Sequence, residues 1–143
     1  MQGIRPDLAK SKTNWTTRFG EYICRELFLL QGHNVTKPQR IAGFEPDWQT
    51  DSIILEAKTQ TYFTTGTAAE KILGTPFKYA DVPQLYGKGL RIVCMGGAEQ
   101  HCRHFGVLPG PRMTATKQKI LDFWKQNNIE YVAATDILTS LVH

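Results

Sequence analysis

Residues 46–58 read Pro-Asp-Trp-Gln-Thr-Asp-Ser-Ile-Ile-Leu-Glu-Ala-Lys, and this run decides the fold because it predicts a β-hairpin within the core sheet. Side chains alternate along a strand, so Glu56 and Lys58 share one face of the second strand, and the apolar residues between them belong to the other face. A symmetric turn in the polar residues 49–52 sets Asp47 directly opposite Glu56, with their Cβ atoms roughly 5 Å apart.

The hairpin therefore brings two carboxylates and an amine together. Two acids that close repel each other unless a cation lies between them. A hard cation such as Mg²⁺ can be held by one or two carboxylates, water and a substrate phosphate. Lys58 is placed to orient or deprotonate an attacking water and to offset charge on the phosphate. The pattern predicts divalent-metal phosphodiester hydrolysis.

The alternative interpretation is a solvated hairpin edge, since a Pro-Asp turn and an alternating Glu/Lys strand are each common. Residues 45–57 hold four acids and no Lys or Arg, in a chain with 17 basic and 13 acidic residues. Trp48 falls on the same face as Leu55, which indicates a strand packed in the core. Both observations favour the functional interpretation.

Asp47, followed after eight residues by Glu56-Ala57-Lys58, resembles the signature of the PD-(D/E)XK nuclease superfamily, which includes many type II restriction enzymes, phage junction resolvases and very-short-patch repair endonucleases. The resemblance implies a restriction-endonuclease-like core in which Asp47 and Glu56 bind Mg²⁺, or Mn²⁺ as a substitute. It also implies that Lys58 assists the attacking water. Many members carry a glutamate on the helix before the hairpin, and Glu21 has a comparable position. Arg18, Glu21 and Arg25 can equally form a charged stripe on the helix surface.

Length and composition are consistent with one nuclease domain over residues 1–143, with residues 1–13 as an N-terminal arm. The net charge of +4 and the pI near 9.0 favour a polyanionic partner such as DNA. Three cysteines without CxxC spacing indicate neither a disulfide framework nor a Cys₄ zinc site, and Cys24 and Cys94 are predicted in the core. The absence of a long apolar run or a signal core predicts a cytoplasmic protein without a membrane span.

Hydrophobic periodicity predicts an α/β fold, with helices on both faces of a mixed sheet that combines an antiparallel meander with parallel strands. The predicted order is one helix, three strands, then helix, strand, helix, strand and helix. The predicted helices are 14–30, 68–73, 114–126 and a short one from Thr135 or Asp136, with a helical or irregular piece at 78–86. The predicted strands are 35–36, 41–49, 53–61, 90–95 and 130–133.

Residues 96–112 combine glycines with Gln100, His101, Arg103 and Arg112, and they are predicted to form a flexible loop that contacts DNA. An ordinary polar surface loop is the open alternative. The spacing of the histidines and cysteine in this segment is not that of a structural zinc site. Lys71, on the predicted short helix, is a further candidate DNA contact.

These expectations converge on a Mg²⁺-dependent endodeoxyribonuclease, with a type II restriction enzyme acting as a homodimer as the first choice. Residues 77–86 carry more apolar side chains than a short helix needs, and they are the candidate dimer interface. A structure-selective junction or mismatch nuclease is the alternative, and a non-catalytic basic DNA-binding domain is the third possibility.

Overall fold

The computed structural model describes residues 6–60 and 67–142, with side chains over 17–59 and 70–142. The helices and strands follow one another as α1 (Pro6–Leu30), β1 (Trp48–Gln49), β2 (Ile53–Gln60), α2 (Thr67–Leu73), α3 (Thr75–Lys78), α4 (Val82–Tyr86), β3 (Gly89–Gly96), α5 (Gly97–His104), α6 (Ala115–Gln126), β4 (Ile129–Ala133) and α7 (Ala134–Val142). None of the helices in this described part is both long and apolar enough to cross a membrane.

The four strands form one mixed sheet in the order β1-β2-β3-β4. The β1–β2 pair is antiparallel, while β2–β3 and β3–β4 are parallel. Helices cover both faces: α1 and α7 pack on the face of Leu55 and Val93, and α2, α4 and α5 pack on the face of Ile54 and Ile92. The prediction of an α/β fold with a mixed sheet is confirmed.

β3 is the most deeply buried strand, as its nearly continuous apolar sequence predicts for a strand covered on both faces. Leu90, Ile92, Val93 and Cys94 are fully buried along it. The predicted core positions of Cys24 and Cys94 are confirmed, and both cysteines are free thiols.

The predicted N-terminal arm is wrong from Pro6 onward, because α1 begins there rather than at Asn14. Proline is favourable in the first turn of a helix, where its fixed φ is preorganised and its missing N–H costs nothing. The following polar residues lack an apolar period, so hydrophobic patterning could not reveal this part of the helix. Residues 1–5 lie outside the described chain.

The predicted three-stranded meander is only partly present. Residues 35–36 contribute a single bridge from Thr36 to Gln49, and the strand predicted at 41–49 shortens to β1. Ala42 and Gly43 both have positive φ, which closes a tight turn between Ile41 and Phe44. This turn diverts the chain before it reaches Pro46.

The predicted flexible loop at 96–112 is wrong over its first half, which forms α5. Ala98 and Cys102, one helical turn apart, are buried against the sheet and fix this helix. Gly96, at φ 58° and ψ −127°, makes the sharp turn from β3 into α5. The glycines at 96 and 97 therefore mark a strand-to-helix turn.

The segment predicted as a dimer interface folds into α3 and α4. Val82 is fully buried, and Tyr79 and Tyr86 pack against the core. Tyr86 donates its hydroxyl to the backbone oxygens of Gln39 and Phe44, which anchors the turn before β1. Much of the apolar excess is thus explained by the core, whereas Phe77 is 81% exposed.

The C-terminal predictions are confirmed to within one or two residues at α6, β4 and α7. Thr114 caps α6 by accepting a hydrogen bond from the Lys117 backbone N–H.

Candidate active site

The β1–β2 hairpin brings Asp47 and Glu56 together in the predicted register. Trp48 pairs with Leu55, and the same register continues to Asp47 and Glu56. The Asp47 backbone N–H donates to Glu56 Oε1 at 3.3 Å, and the Ala57 N–H donates to Asp47 Oδ2 at 2.8 Å. Each carboxylate therefore accepts a hydrogen bond from a backbone N–H on the other side of the hairpin, and this fixes the orientation of both side chains.

Lys58 lies on the same face as Glu56, one alternation further along β2. Its Nζ is 3.6 Å from Glu56 Oε2, and its side chain is 30% exposed against 8% for that of Glu56. The ammonium group therefore sits between a buried carboxylate and the solvent, where an approaching phosphate would meet it.

Tyr79 completes this cluster, and the sequence pattern did not predict its position there. Its hydroxyl lies close enough to the Glu56 carboxylate to lower the pKa of that acid, and its ring centroid lies 5.9 Å from Lys58 Nζ. Phe44 packs against the same ring at a centroid distance of 5.6 Å. The only sequence signal was an aromatic excess in residues 77–86, which does not indicate a direction. Tyr79 contacts both the acid and the amine of the predicted site.

Burial disfavours the ionised form of both carboxylates, and the charge of Glu56 adds to this effect at Asp47. Burial, followed by the charge of Glu56, raises the pKa of Asp47 from 3.8 to about 7, against the lowering effect of the Ala57 N–H. Burial likewise raises the pKa of Glu56, which Lys58 and hydrogen bonds lower in part. A hard divalent cation between the carboxylates would offset this electrostatic cost, because an opposite charge favours the ionised form of each acid.

α1 reaches the site through a close approach to β2. Gly20 permits it, because a Cβ there would collide with the Thr59 side chain. The next residue, Glu21, accepts a hydrogen bond at its backbone oxygen from Trp48 Nε1 at 2.8 Å. Its carboxylate charge also raises the pKa of Asp47, so Glu21 belongs to the electrostatic surroundings of the site. Cys24 lies on the same helix, and burial together with the nearby acids raises the pKa of its thiol to about 12, which makes it a poor nucleophile.

The donor set for a metal is a pair of carboxylates. Over residues 17–59 and 70–142, no group of three or more His, Cys, Asp or Glu side chains is arranged to hold an ion. The predicted set of Asp47, Glu56 and Glu21 is therefore not a preassembled three-ligand site. Mg²⁺ commonly uses only one or two carboxylates and completes its octahedron with water and substrate phosphate, so Asp47 and Glu56 fit its chemistry.

Glu21→Gln tests whether the first helix takes part in metal use. The substitution removes one negative charge near Asp47 and keeps the shape of the side chain. We expect the Mg²⁺ concentration that gives half-maximal DNA cleavage to rise several-fold, with less effect at saturating Mg²⁺. Asp122→Asn, which removes an exposed acid on α6 at the far edge of the sheet, is the control. An unchanged Mg²⁺ dependence would show that Glu21 has no role in metal use and belongs only to the charged stripe on the helix surface.

Tyr79→Phe removes only the hydroxyl that interacts with Glu56. We expect a roughly tenfold lower cleavage rate at saturating DNA, because Glu56 and Lys58 lose one of the contacts that orient them. Tyr131→Phe is the matched control, since the Tyr131 hydroxyl donates to the backbone oxygens of Ile72 and Leu73 and lies on β4, outside the cluster. Equal rates for the two variants would show that the Tyr79 hydroxyl has no role in the site.

The predicted DNA-contacting residues lie on different parts of the fold. Arg103 is tied into the protein: it donates to the Pro109 carbonyl at 2.9 Å, pairs with Glu99 at 3.4 Å and reaches Thr135 at 3.5 Å. It therefore links α5 to the following loop and to α7. The His101 ring stacks on Phe105. The other three predicted contacts, Gln100, Arg112 and Lys71, are exposed. Contact of these residues with DNA stays a prediction.

Comparisons of this chain with protein-family models, with curated proteins and with solved structures found no match.

Proposed function

We propose that this protein is a Mg²⁺-dependent endonuclease that hydrolyses phosphodiester bonds of DNA. The observation that carries the proposal is the pair of carboxylates, half-buried Asp47 and buried Glu56, which accept hydrogen bonds from each other's side of the hairpin, with the Lys58 ammonium 3.6 Å from Glu56. A hairpin edge with no chemical role would be expected to leave such acids in solvent, because burying ionised groups costs free energy.

In the proposed reaction, the oxygen of a water molecule forms a bond to phosphorus, and the bond from phosphorus to the sugar oxygen breaks. The water loses a proton, and the leaving sugar oxygen gains one. Mg²⁺ held by Asp47 and Glu56 would neutralise charge on the phosphate and activate the water. Lys58 orients the water and offsets negative charge at its exposed end. Tyr79 keeps Glu56 and Lys58 in place.

The proposed family is the PD-(D/E)XK superfamily, with a restriction-endonuclease-like core. Three features support it beyond the motif itself. A helix precedes the hairpin that carries the acids, the strand bearing Glu56 and Lys58 pairs in parallel with β3, and helices cover both faces of the mixed sheet. Glu21 on the preceding helix also acts electrostatically on Asp47.

Digestion of unmodified phage DNA in Mg²⁺ tests the proposal and separates its two forms. Discrete fragments are expected for a type II restriction enzyme. Cleavage confined to synthetic four-way junctions or mismatched duplexes would instead support a structure-selective nuclease. If none of these DNAs is cut in Mg²⁺ or Mn²⁺, the proposed activity is wrong.

A restriction enzyme that makes double-strand breaks is expected to act as a homodimer, since one chain supplies one Asp47–Glu56–Lys58 cluster and a two-fold axis addresses two antiparallel strands. Mixing wild type with Lys58→Ala tests this expectation on supercoiled plasmid. Mixed dimers should produce nicked circles in excess of those made by either protein alone. Linear product in proportion to the wild-type protein, without added nicking, would contradict the dimer.

A further inference from the structure

The acidic hairpin needs nearby cations if a DNA strand is to approach it. Residues 45–57 contain four acids and no Lys or Arg, so the hairpin itself repels a phosphate backbone. Association with DNA depends on Lys and Arg side chains that replace the counterions around the phosphates. Lys58 is the one cation on β1 and β2, so any further cations that serve this site come from neighbouring segments of the chain.

Two such cations flank one side chain of the hairpin. Trp48 follows Asp47, and its indole is held by the hydrogen bond from Nε1 to the Glu21 backbone oxygen. The Arg25 guanidinium carbon lies 5.8 Å from the centroid of the indole ring, and Lys37 Nζ lies 5.6 Å from the centroid. Arg25 comes from α1 and Lys37 from the segment before the hairpin, so two separate parts of the chain place a positive charge on the same ring.

Lys37 keeps its charge available for a ligand. Its Nζ donates to the backbone oxygen of Asp47 at 3.1 Å, and a neutral carbonyl does not cancel the positive charge. This bond places the ammonium beside Asp47, the proposed metal ligand. The side chain is exposed, and an ammonium with one donor used has two more for phosphate oxygens.

Arg25 is more strongly compensated. It pairs with the adjacent Glu26 at 3.5 Å, but both side chains are more than a third exposed, so water screens this pair. A guanidinium has five N–H donors, and a single contact to Glu26 leaves several of them for a phosphate. Both cations therefore have donors for an anion that approaches the hairpin.

Two other cations of the described chain are engaged at the far edge of the sheet. Arg91 and Lys125 both pair with Glu130 on β4, at 2.6 and 3.4 Å. β4 forms the opposite edge of the sheet from β1, roughly 14 Å away across three strand spacings. The cations beside Trp48 are instead at the edge of the sheet where Asp47 lies.

We propose that Arg25 and Lys37 form a phosphate-binding pair, which holds the DNA backbone next to the phosphate cut at Asp47 and Glu56. This inference rests on the proposed function, because it takes duplex DNA as the ligand. Trp48 acts as the apolar support that keeps both cations at the edge of the site. The contact is with backbone phosphate, so it positions the strand and carries no base preference.

Salt-dependent binding of a labelled synthetic duplex, measured by fluorescence anisotropy in Ca²⁺, tests the inference. We expect Lys37→Ala and Arg25→Ala each to weaken binding several-fold for all duplex sequences. Each should also reduce the slope of log affinity against log salt by about 0.9, the value for one lost phosphate contact. Lys37→Arg and Arg25→Lys keep the positive charge and should retain the wild-type slope. Their retained slope would show that the alanine variants lose binding through the missing charge and not through misfolding.

Lys119→Ala is the matched control, since Lys119 is an exposed lysine on α6, which packs on β4 at the far edge of the sheet. Its slope should equal that of wild type. Suppose that wild type cleaves DNA. If both alanine variants then bind with the wild-type slope, or if Lys119→Ala reduces the slope as much as they do, the phosphate-binding pair is wrong and the proposed function stands. If wild type neither binds nor cleaves any DNA tested, both are wrong.

Discussion

Asp47→Ala and Glu56→Ala are each expected to lower the single-turnover rate of DNA cleavage by on the order of 10³-fold. Loss of one preorganised electrostatic group in an active site costs about this much, and each variant here also loses half of the proposed metal-binding pair. DNA affinity without metal should be unchanged or higher, because one carboxylate no longer repels the phosphate.

Glu45→Ala is the matched control for these two substitutions. Glu45 belongs to the same acidic segment, but its side chain is 64% exposed and pairs with Arg40 at 3.5 Å. Its cleavage rate should stay near that of wild type. Wild-type rates for both Asp47→Ala and Glu56→Ala, with the Mg²⁺ requirement intact, would show that the metal lies elsewhere.

The second large effect is on stability. Metal-free wild type is expected to be more stable near pH 5 than near pH 8. Burial and the Glu56 charge raise the pKa of Asp47 from 3.8 to about 7 in the folded state. Between these two values the folded protein holds a proton that the unfolded chain has released, so stability falls as pH rises through this window. The effect is on the order of 1.4 kcal/mol per unit of pKa shift, which amounts to a few kcal/mol.

Denaturant unfolding in EDTA at several pH values, for wild type and Asp47→Asn, measures this difference. The variant cannot ionise at position 47, so its stability should depend much less on pH in the same window. Mg²⁺ should restore stability to wild type at pH 8, because it binds the folded state. Identical pH dependence in the two proteins would contradict the buried acid pair.

The register of the hairpin could be predicted from sequence because two independent signals agreed. The alternation of β2 and the polar turn at 49–52 both require Asp47 to face Glu56, and a slip of one residue would have moved Leu55 out of the core. The structure has this register, with Trp48 opposite Leu55. The placement of Asp47 opposite Glu56 is therefore the best predicted feature of the site.

The environment of the site could not be predicted in the same way. Tyr79, the residue after α3, approaches Glu56 from more than 20 residues further along the chain, and Lys37 reaches Asp47 from a segment with no regular structure. Such contacts depend on how α3 and the 33–45 segment fold over the sheet, which local patterning does not encode. They became visible only once the tertiary packing placed them.

The segment 96–112 shows how local signals can mislead. Glycines at 96 and 97 are typical of a loop, and polar residues such as Arg103 suggest contacts with a ligand. The burial of Ala98 and Cys102 against the sheet outweighs the glycine preference and forms a helix. Arg103 then finds its partners within the protein, on α5 and α7.

The most direct test of the account is the Mg²⁺-dependent conversion of supercoiled plasmid by wild type, Asp47→Ala and Lys58→Ala, purified in parallel so that a contaminating nuclease would appear in all three. The account predicts nicked or linear plasmid, or cleavage of a branched or mismatched duplex, only with wild type and only when Mg²⁺ or Mn²⁺ is present. Equal cleavage by all three proteins, cleavage that persists in EDTA, or no cleavage of any of these DNAs would contradict it.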